Sequence, residues 1–312
     1  MKLVKKILVY LGAFLGAFAL GLGLNLWVTS LSADKVVWNE TVGTEHLDIA
    51  YGEKESNKFD LYLPANQDRK SYGLVIYLHA GGFTTGDKSD DADILKGFVN
   101  RGYVAAGINY TLRTDSNNAS VATMSQEIKE AIPQVIAEAK KLGYPVEEMV
   151  LAGGSAGGGL ATLYAYRDGK DAPVPIRFVY ALVPPTSFQP DGWYGLDKDL
   201  EQAAAFFTPI TGVALTKEMM ENGEYQEIAK TIEAYRWVDK DSPPSLIAFG
   251  KHDKVVPFTT TPYLIQAFEE NNVANDVLVF EHSGHGLHRD KDMQKLLKEK
   301  LNEYFDRYMP LK

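Results

Sequence analysis

The 312-residue sequence contains no cysteine. That excludes disulfides, thiolate catalysis, cysteine-ligated metals and a lipid-modified cysteine, so the core must hold by packing alone, which a chain of this size can do. An excess of positive charge is also missing. The formal net charge is −9, and the only charges ahead of Asp34 are Lys2, Lys5 and Lys6, so the body of the chain is more acidic still. An acidic body argues against nucleic acid or an anionic membrane surface as partner. The sequence carries no internal repeat. Apolar residues make up 45% of the chain and charged residues 23%, which is ordinary for a globular protein.

One stretch lacks charge altogether. Residues 7–28 are apolar apart from a single Asn. As a helix rising ~1.5 Å per residue, this run spans about the hydrocarbon thickness of a bilayer. The three preceding lysines would keep the N-terminus inside and send the body across. A cleaved signal peptide would carry an apolar core of only ~7–15 residues and a small-x-small site. Here the run is longer, and Ser30-Leu31-Ser32 matches such a site poorly. The expectation is therefore one N-terminal hydrophobic helix, residues 1–33, anchoring an exported body at the membrane, with a cleaved signal and a secreted body as the alternative. Gly12 and Gly16 share a helix-pairing spacing that is common in membrane helices anyway.

From Asp34 onward the pattern changes. Residues 46–51 and 59–63 alternate apolar and polar, as half-buried antiparallel strands do, whereas 73–78 is a continuous apolar run suited to a buried parallel strand. Helical and strand patterns then take turns. Helices are expected at 91–100, 121–139 (kinked at Pro133), 156–166, 259–271 and 291–309, and strands at 102–108, 148–152, 176–183, 245–249 and 276–280. This alternation predicts an α/β fold with a mostly parallel central sheet, helices on both faces, and a site at the carboxyl ends of the strands. Residues 186–242 break the rhythm. They are long and aromatic-rich, with Phe188, Trp193 and Phe207 among them, and read as a cap inserted into the domain of residues 34–312. Those three aromatics suit packing of the cap first and the walls of an acyl pocket second.

The chain is organised around residues 151–159, which contain the pattern G-x-S-x-G at Gly153, Ser155 and Gly157. Lying between a strand and a helix, it has the form of a nucleophile elbow, a turn so sharp that the serine is strained and its two flanking glycines nearly touch. A serine hydroxyl needs a base, and the base needs an orienter. His285, set between Gly284 and Gly286 after the last strand, is the best base; His282 is its main competitor, and His288 falls where the last helix begins. Asp253, on the loop after strand 245–249, is the expected orienter. The order Ser155, Asp253, His285 is that of one fold class among the several that carry this triad. For the negative oxygen of a tetrahedral intermediate, the loop His79-Ala80-Gly81-Gly82-Phe83 offers backbone amides at the end of the third strand, and the amide of Ala156 is the other donor.

These motifs resemble the esterase/lipase group of the α/β-hydrolase superfamily, and within it the hormone-sensitive-lipase-like and acetyl-xylan or feruloyl esterase-like enzymes. The resemblance covers about residues 44–308. It rests on the H-G-G-G loop at His79–Gly82, with Ala80 in place of the commoner glycine, and on Gly86-Asp87-Lys88 after it. The elbow through Gly158, the G-x-x-D-x-x-V-P turn from Gly250 to Pro257, and Gly284-His285-Gly286 complete it. It implies an α/β-hydrolase fold, a triad of Ser155, Asp253 and His285, and oxyanion donors at Gly81, Gly82 and Ala156. It also implies a small-molecule ester substrate and no cofactor or metal. Two other readings stay open: a peptidase or amidase on the same fold, and a catalytically inactive binding module at the cell surface.

Overall fold

The computed structural model describes residues 36–312. The expected anchor at residues 1–33 lies outside the described residues. Among those described, no helix is long and apolar enough to cross a membrane.

In chain order the strands are β1 (Gly43–Ala50), β2 (Lys58–Pro64), β3 (Tyr72–Leu78), β4 (Val104–Ile108), β5 (Val146–Gly154), β6 (Ile176–Leu182), β7 (Ser245–Gly250) and β8 (Asn275–Phe280). The α-helices are α1 (Ala92–Asn100), α2 (Val121–Lys141), α3 (Ala156–Leu163), α4 (Leu200–Thr211), α5 (Lys217–Glu221), α6 (Glu224–Lys230), α7 (Thr261–Asn271) and α8 (Lys291–Tyr308). The strands form one eight-stranded sheet in the order β1-β2-β4-β3-β5-β6-β7-β8. β2 runs antiparallel to both β1 and β4, and every other pairing is parallel. The two alternating segments at the start thus form the antiparallel side of the sheet, but only β1, at the edge, is left partly exposed. β2, expected to be half-buried, is covered on both faces, with Asp60 and Tyr62 buried, because it lies between β1 and β4. The continuous apolar runs form the parallel centre, as burial on both faces requires.

Successive side chains of the central strands point to opposite faces, and this divides the core in two. Leu74, Ile76, Leu78, Met149, Leu151, Ile247 and Phe249 pack with the apolar stripes of α2, α3 and α7. Val75, Tyr77, Val150, Ala152, Leu246 and Ala248 pack with Leu95, Phe98 and Val99 of α1 and Leu297, Leu301 and Phe305 of α8.

Three local features differ from the sequence expectation. β1 is not a regular strand: its register with β2 slips between His46 and Ile49, where Asp48 has φ 57. The Asp48 amide donates to Asp60 and its carboxylate receives Lys88, so the extra residue is fixed by side-chain bonds. α2 runs on through Pro133, which lies on the exposed side, where water can serve the carbonyl that proline leaves without a partner. The helix after the elbow is α-helical only to Leu163, and Tyr164–Asp168 forms one π turn, its Asp168 held by Lys129 and Arg167.

Between β6 and β7, α4 to α6 and several single helical turns lie against the α2–α3 face. Phe188, Trp193, Phe207 and Tyr225 are all buried there; the rings of Phe188 and Trp193 stack at 5.7 Å and those of Phe207 and Tyr225 at 5.4 Å.

Candidate active site

β5 delivers Ser155 at its carboxyl end. The serine sits at φ 51, ψ −120, a region that side chains other than glycine rarely adopt. A Cβ on Gly153 would lie 2.6 Å from the Gly157 carbonyl carbon, and one on Gly157 would lie 2.0 Å from Leu78 O. The turn therefore requires glycine at both positions. Further along, a Cβ on Gly159 would lie 2.9 Å from the Pro185 ring, so the small residues opening α3 let it settle against the chain leaving β6. Ser155 N donates to Leu182 O at 2.8 Å, tying the elbow to β6.

β7 and β8 deliver the partners. Gly250 at the end of β7 faces the Gly284 backbone so closely that a Cβ would lie 2.2 Å from its carbonyl oxygen. This brings the two following loops together. His285 Nε2 is 2.8 Å from Ser155 Oγ, and His285 Nδ1 is 2.7 Å from Asp253 Oδ2. A carboxylate can only accept, so Nδ1 carries the proton and the Nε2 lone pair faces the serine hydroxyl. The other Asp253 oxygen accepts from Val255 N at 2.7 Å and Val256 N at 3.0 Å. Asp253 and Ser155 are buried, and His285 is mostly so.

The competing histidine is engaged elsewhere. His282 Nδ1 lies 2.6 Å from Asp290, which also accepts from Ser283 Oγ, and the His282 ring points into solvent. Burial opposes ionisation of Asp290, yet its bonds to Ser283 and His282 hold its carboxyl below the usual range.

The loop after β3 turns back on itself, with Thr84 N and Thr85 N both donating to Gly81 O at 3.0 Å. Gly81 at φ 132 cannot be replaced, since a Cβ would lie 1.8 Å from Thr85 O. Among the described residues no acceptor takes the amides of Gly81 or Gly82. Ala156 opens α3, so its amide has no helical partner.

The side chains of the loop's own motif, with Tyr110 and Asn109, which the sequence did not single out, support this loop. His79 is buried, stacked on Tyr110 at 4.3 Å, and donates from Nδ1 to Ala80 O at 2.7 Å, while Tyr110 donates to His79 O. Burial pushes the His79 imidazole down, which keeps it neutral. Gly86-Asp87-Lys88 acquires a structural part. The buried Lys88 ammonium meets Asp48 at 2.8 Å and Asp60 at 3.2 Å. Asp87 caps the next turn through Ser89 N and receives the Asn109 amide at 2.6 Å. Five residues other than glycine adopt positive φ just after these strands or between β6 and β7: Phe83, Ser155, Val183, Tyr194 and Leu287. Among the described residues no group of three or more His, Asp or Glu could hold a metal ion.

The arrangement sets a hydroxyl on a strained turn against an imidazole, with a carboxylate behind the imidazole and free amides nearby. The BD-FAE family model matches residues 59–268, about two-thirds of the chain. Kynurenine formamidases of Salmo salar and Danio rerio are 27% and 26% identical over 154 residues, 46% of this chain. The chain spans about half the length of these curated relatives. Among solved structures, an inhibited esterase B from Lactobacillus rhamnosis superposes with a TM-score of 0.70 at 18% identity, covering 95% of each chain. A truncated carbohydrate esterase from gut microbiota gives 0.67 at 19% identity, covering 86% of this chain and 99% of that one. A propionate-bound thermophilic esterase from Thermogutta terrifontis gives 0.63 at 21%, covering 88% and 98%. These likenesses establish the α/β-hydrolase fold.

Proposed function

The chain belongs to the BD-FAE family, and from that membership and the geometry of its site we propose that it is a serine hydrolase of carboxylic esters. The observation that carries the reading is the unbroken relay from Ser155 Oγ through both nitrogens of His285 to Asp253, at 2.8 and 2.7 Å. As Ser155 Oγ attacks the ester carbonyl carbon, its proton passes to His285 Nε2. The Asp253 carboxylate, fastened by two amides of its own turn, keeps the ring in the productive tautomer and offsets the imidazolium charge. The amides of Gly81, Gly82 and Ala156 receive the negative oxygen, a contribution worth about 10²–10³ in turnover for a single donor. Collapse of the intermediate expels the alcohol, which takes the proton from Nε2. Water then gives a proton to the same nitrogen as it attacks the acyl-enzyme, and collapse of the second intermediate releases the acid while Ser155 Oγ takes that proton back from Nε2. The esterases among the solved neighbours support a small ester as substrate.

The test is hydrolysis of p-nitrophenyl acetate and butyrate. Activity is expected in the wild type and absent from Ser155→Ala. A second reading is favoured by the formamidase relatives: the same relay can protonate a departing amine, so the scissile bond would be an amide. An N-formyl arylamine assayed in parallel decides between them, since faster turnover of that substrate would transfer the reading to amides. Failure to label with a fluorophosphonate would exclude both and leave a binding module. For the helical segment between β6 and β7 we propose the role of a cap over the site. We also infer export, from the uncharged run at 7–28 behind three lysines. Fractionation with N-terminal sequencing tests that inference, and recovery in the cytoplasm would refute it.

A further inference from the structure

Tyr194 has a conformation that its own packing does not explain. It lies at φ 51, which L side chains avoid, and the residue is 58% exposed. What the conformation achieves is a hydrogen bond: the hydroxyl donates to Lys254 O at 2.5 Å. Desolvation of that hydroxyl, and then the charge on Asp253, push it up to about 12, so it remains a donor at neutral pH.

Lys254 follows Asp253, and the turn that carries Asp253 is held on two sides. Upstream it is fastened to the His285 loop, with Lys251 N donating to Phe280 O at 3.0 Å and His252 N to Ser283 O at 2.9 Å. The bonds from Val255 N and Val256 N fix the carboxylate within its own turn, but they move with it. Downstream the hold comes from residues 191–194, at the start of the segment between β6 and β7. Tyr194 takes the Lys254 carbonyl, Gly192 O receives Thr259 Oγ1 at 2.6 Å, and the Asp191 carboxylate receives the Tyr263 hydroxyl at 2.6 and 2.7 Å.

We propose that Tyr194 is a positioning residue: its hydroxyl, seated on the Lys254 carbonyl, holds the Asp253 turn so that Oδ2 stays on His285 Nδ1. The proposal rests on the reading of Ser155, His285 and Asp253 as the reacting relay. It is tested in the full chain with Tyr194→Phe, which removes only the hydroxyl, and Tyr194→Ala, which also removes the ring. Because displacement of a catalytic group by about 1 Å can cost 10²-fold, kcat for p-nitrophenyl acetate is expected to fall about 10- to 100-fold in Tyr194→Phe, with KM changed by less than about twofold. Tyr194→Ala should match it in kcat. The low-field proton resonance of the His285–Asp253 hydrogen bond should be sharp in the wild type and broadened or lost in both variants. Wild-type kcat with an unchanged resonance in Tyr194→Phe overturns the proposal. So does a rise in KM confined to Tyr194→Ala, which would make the ring a wall for substrate. A fall in kcat without any change in the resonance also counts against it. If the wild type turns over no ester, the functional reading fails separately, and the resonance alone decides whether Tyr194 holds Asp253.

Discussion

At Ser155 the backbone stores strain where the hydroxyl has to act, and the glycines around it are there for steric reasons that can be tested singly. Gly157→Ala would drive a methyl to 2.0 Å from Leu78 O, a backbone atom that cannot yield without moving β3. The expected result is failure to accumulate folded protein, or a loss of several kcal/mol in chemical denaturation, as for other severe backbone conflicts. By contrast, Ser155→Ala should fold like the wild type while ester turnover falls at least about 10⁴-fold, measured with a p-nitrophenyl ester. The elbow was legible because its constraints are local: Gly153, Ser155 and Gly157 lie within one turn, so a linear pattern records them. The choice of histidine was not local. His282, His285 and His288 sit within a few residues of one another; the glycines on either side of His285 favoured it in the sequence, but spacing alone left His282 as a competitor. What separates them is Asp290, which engages His282, and the close approach of Gly250 to Gly284, which directs His285 toward Asp253.

At the scale of elements, the alternation of strands and helices from β3 onward was readable because the strands from β3 to β7 are apolar enough for two covered faces, and only the edge strand β8 is half-exposed. The segment between β6 and β7 could be recognised as an insertion by its length, but what holds it together could not. Its hub is Glu233, fully buried, whose carboxylate accepts from Phe188 N at 2.6 Å, Gln189 Nε2 at 2.9 Å and Arg236 Nε at 2.5 Å. Burial raises this carboxyl, and those partners act against the rise. Two of the three lie more than forty residues upstream, so no sequence window contains them. Removing one member of a buried, hydrogen-bonded charge pair costs about 3–5 kcal/mol, because the other is left unpaired. Glu233→Ala should therefore lower the denaturation midpoint substantially, and because Phe188 and Trp193 stack beside this hub, fluorescence of Trp193 should change with it. A midpoint within error of the wild type would mean that aromatic packing alone holds the segment.

Across the whole molecule, carboxyls displaced in opposite directions make stability depend on pH from both sides. Burial would raise Asp87, but the Asn109 amide and Ser89 outweigh it and bring the group down to about 2. Its contribution is present above the unfolded value near 4 and is lost as pH falls toward 2. Asp91, at the head of α1, is the opposite case. It is buried, one of its oxygens has no hydrogen-bond partner, and desolvation, with a smaller contribution from Asp90, pushes it up to about 8. Because the folded value lies above the unfolded one, the fold binds this proton more tightly than the unfolded chain does. The resulting stability is complete below about pH 4 and is lost as pH rises through about 8, at up to about 1.4 kcal/mol per pH unit. Asp91→Asn never ionises and so removes this dependence. The variant's advantage in denaturation midpoint over the wild type should therefore widen between about pH 5 and about pH 9 and level off above that. The other raised carboxyls, Asp60 and Glu233, are the same in both chains and cancel in the comparison. A margin that stayed constant across that range would mean that Asp91 is ionised in the folded protein throughout, with a cation or water serving the oxygen that has no partner in the fold.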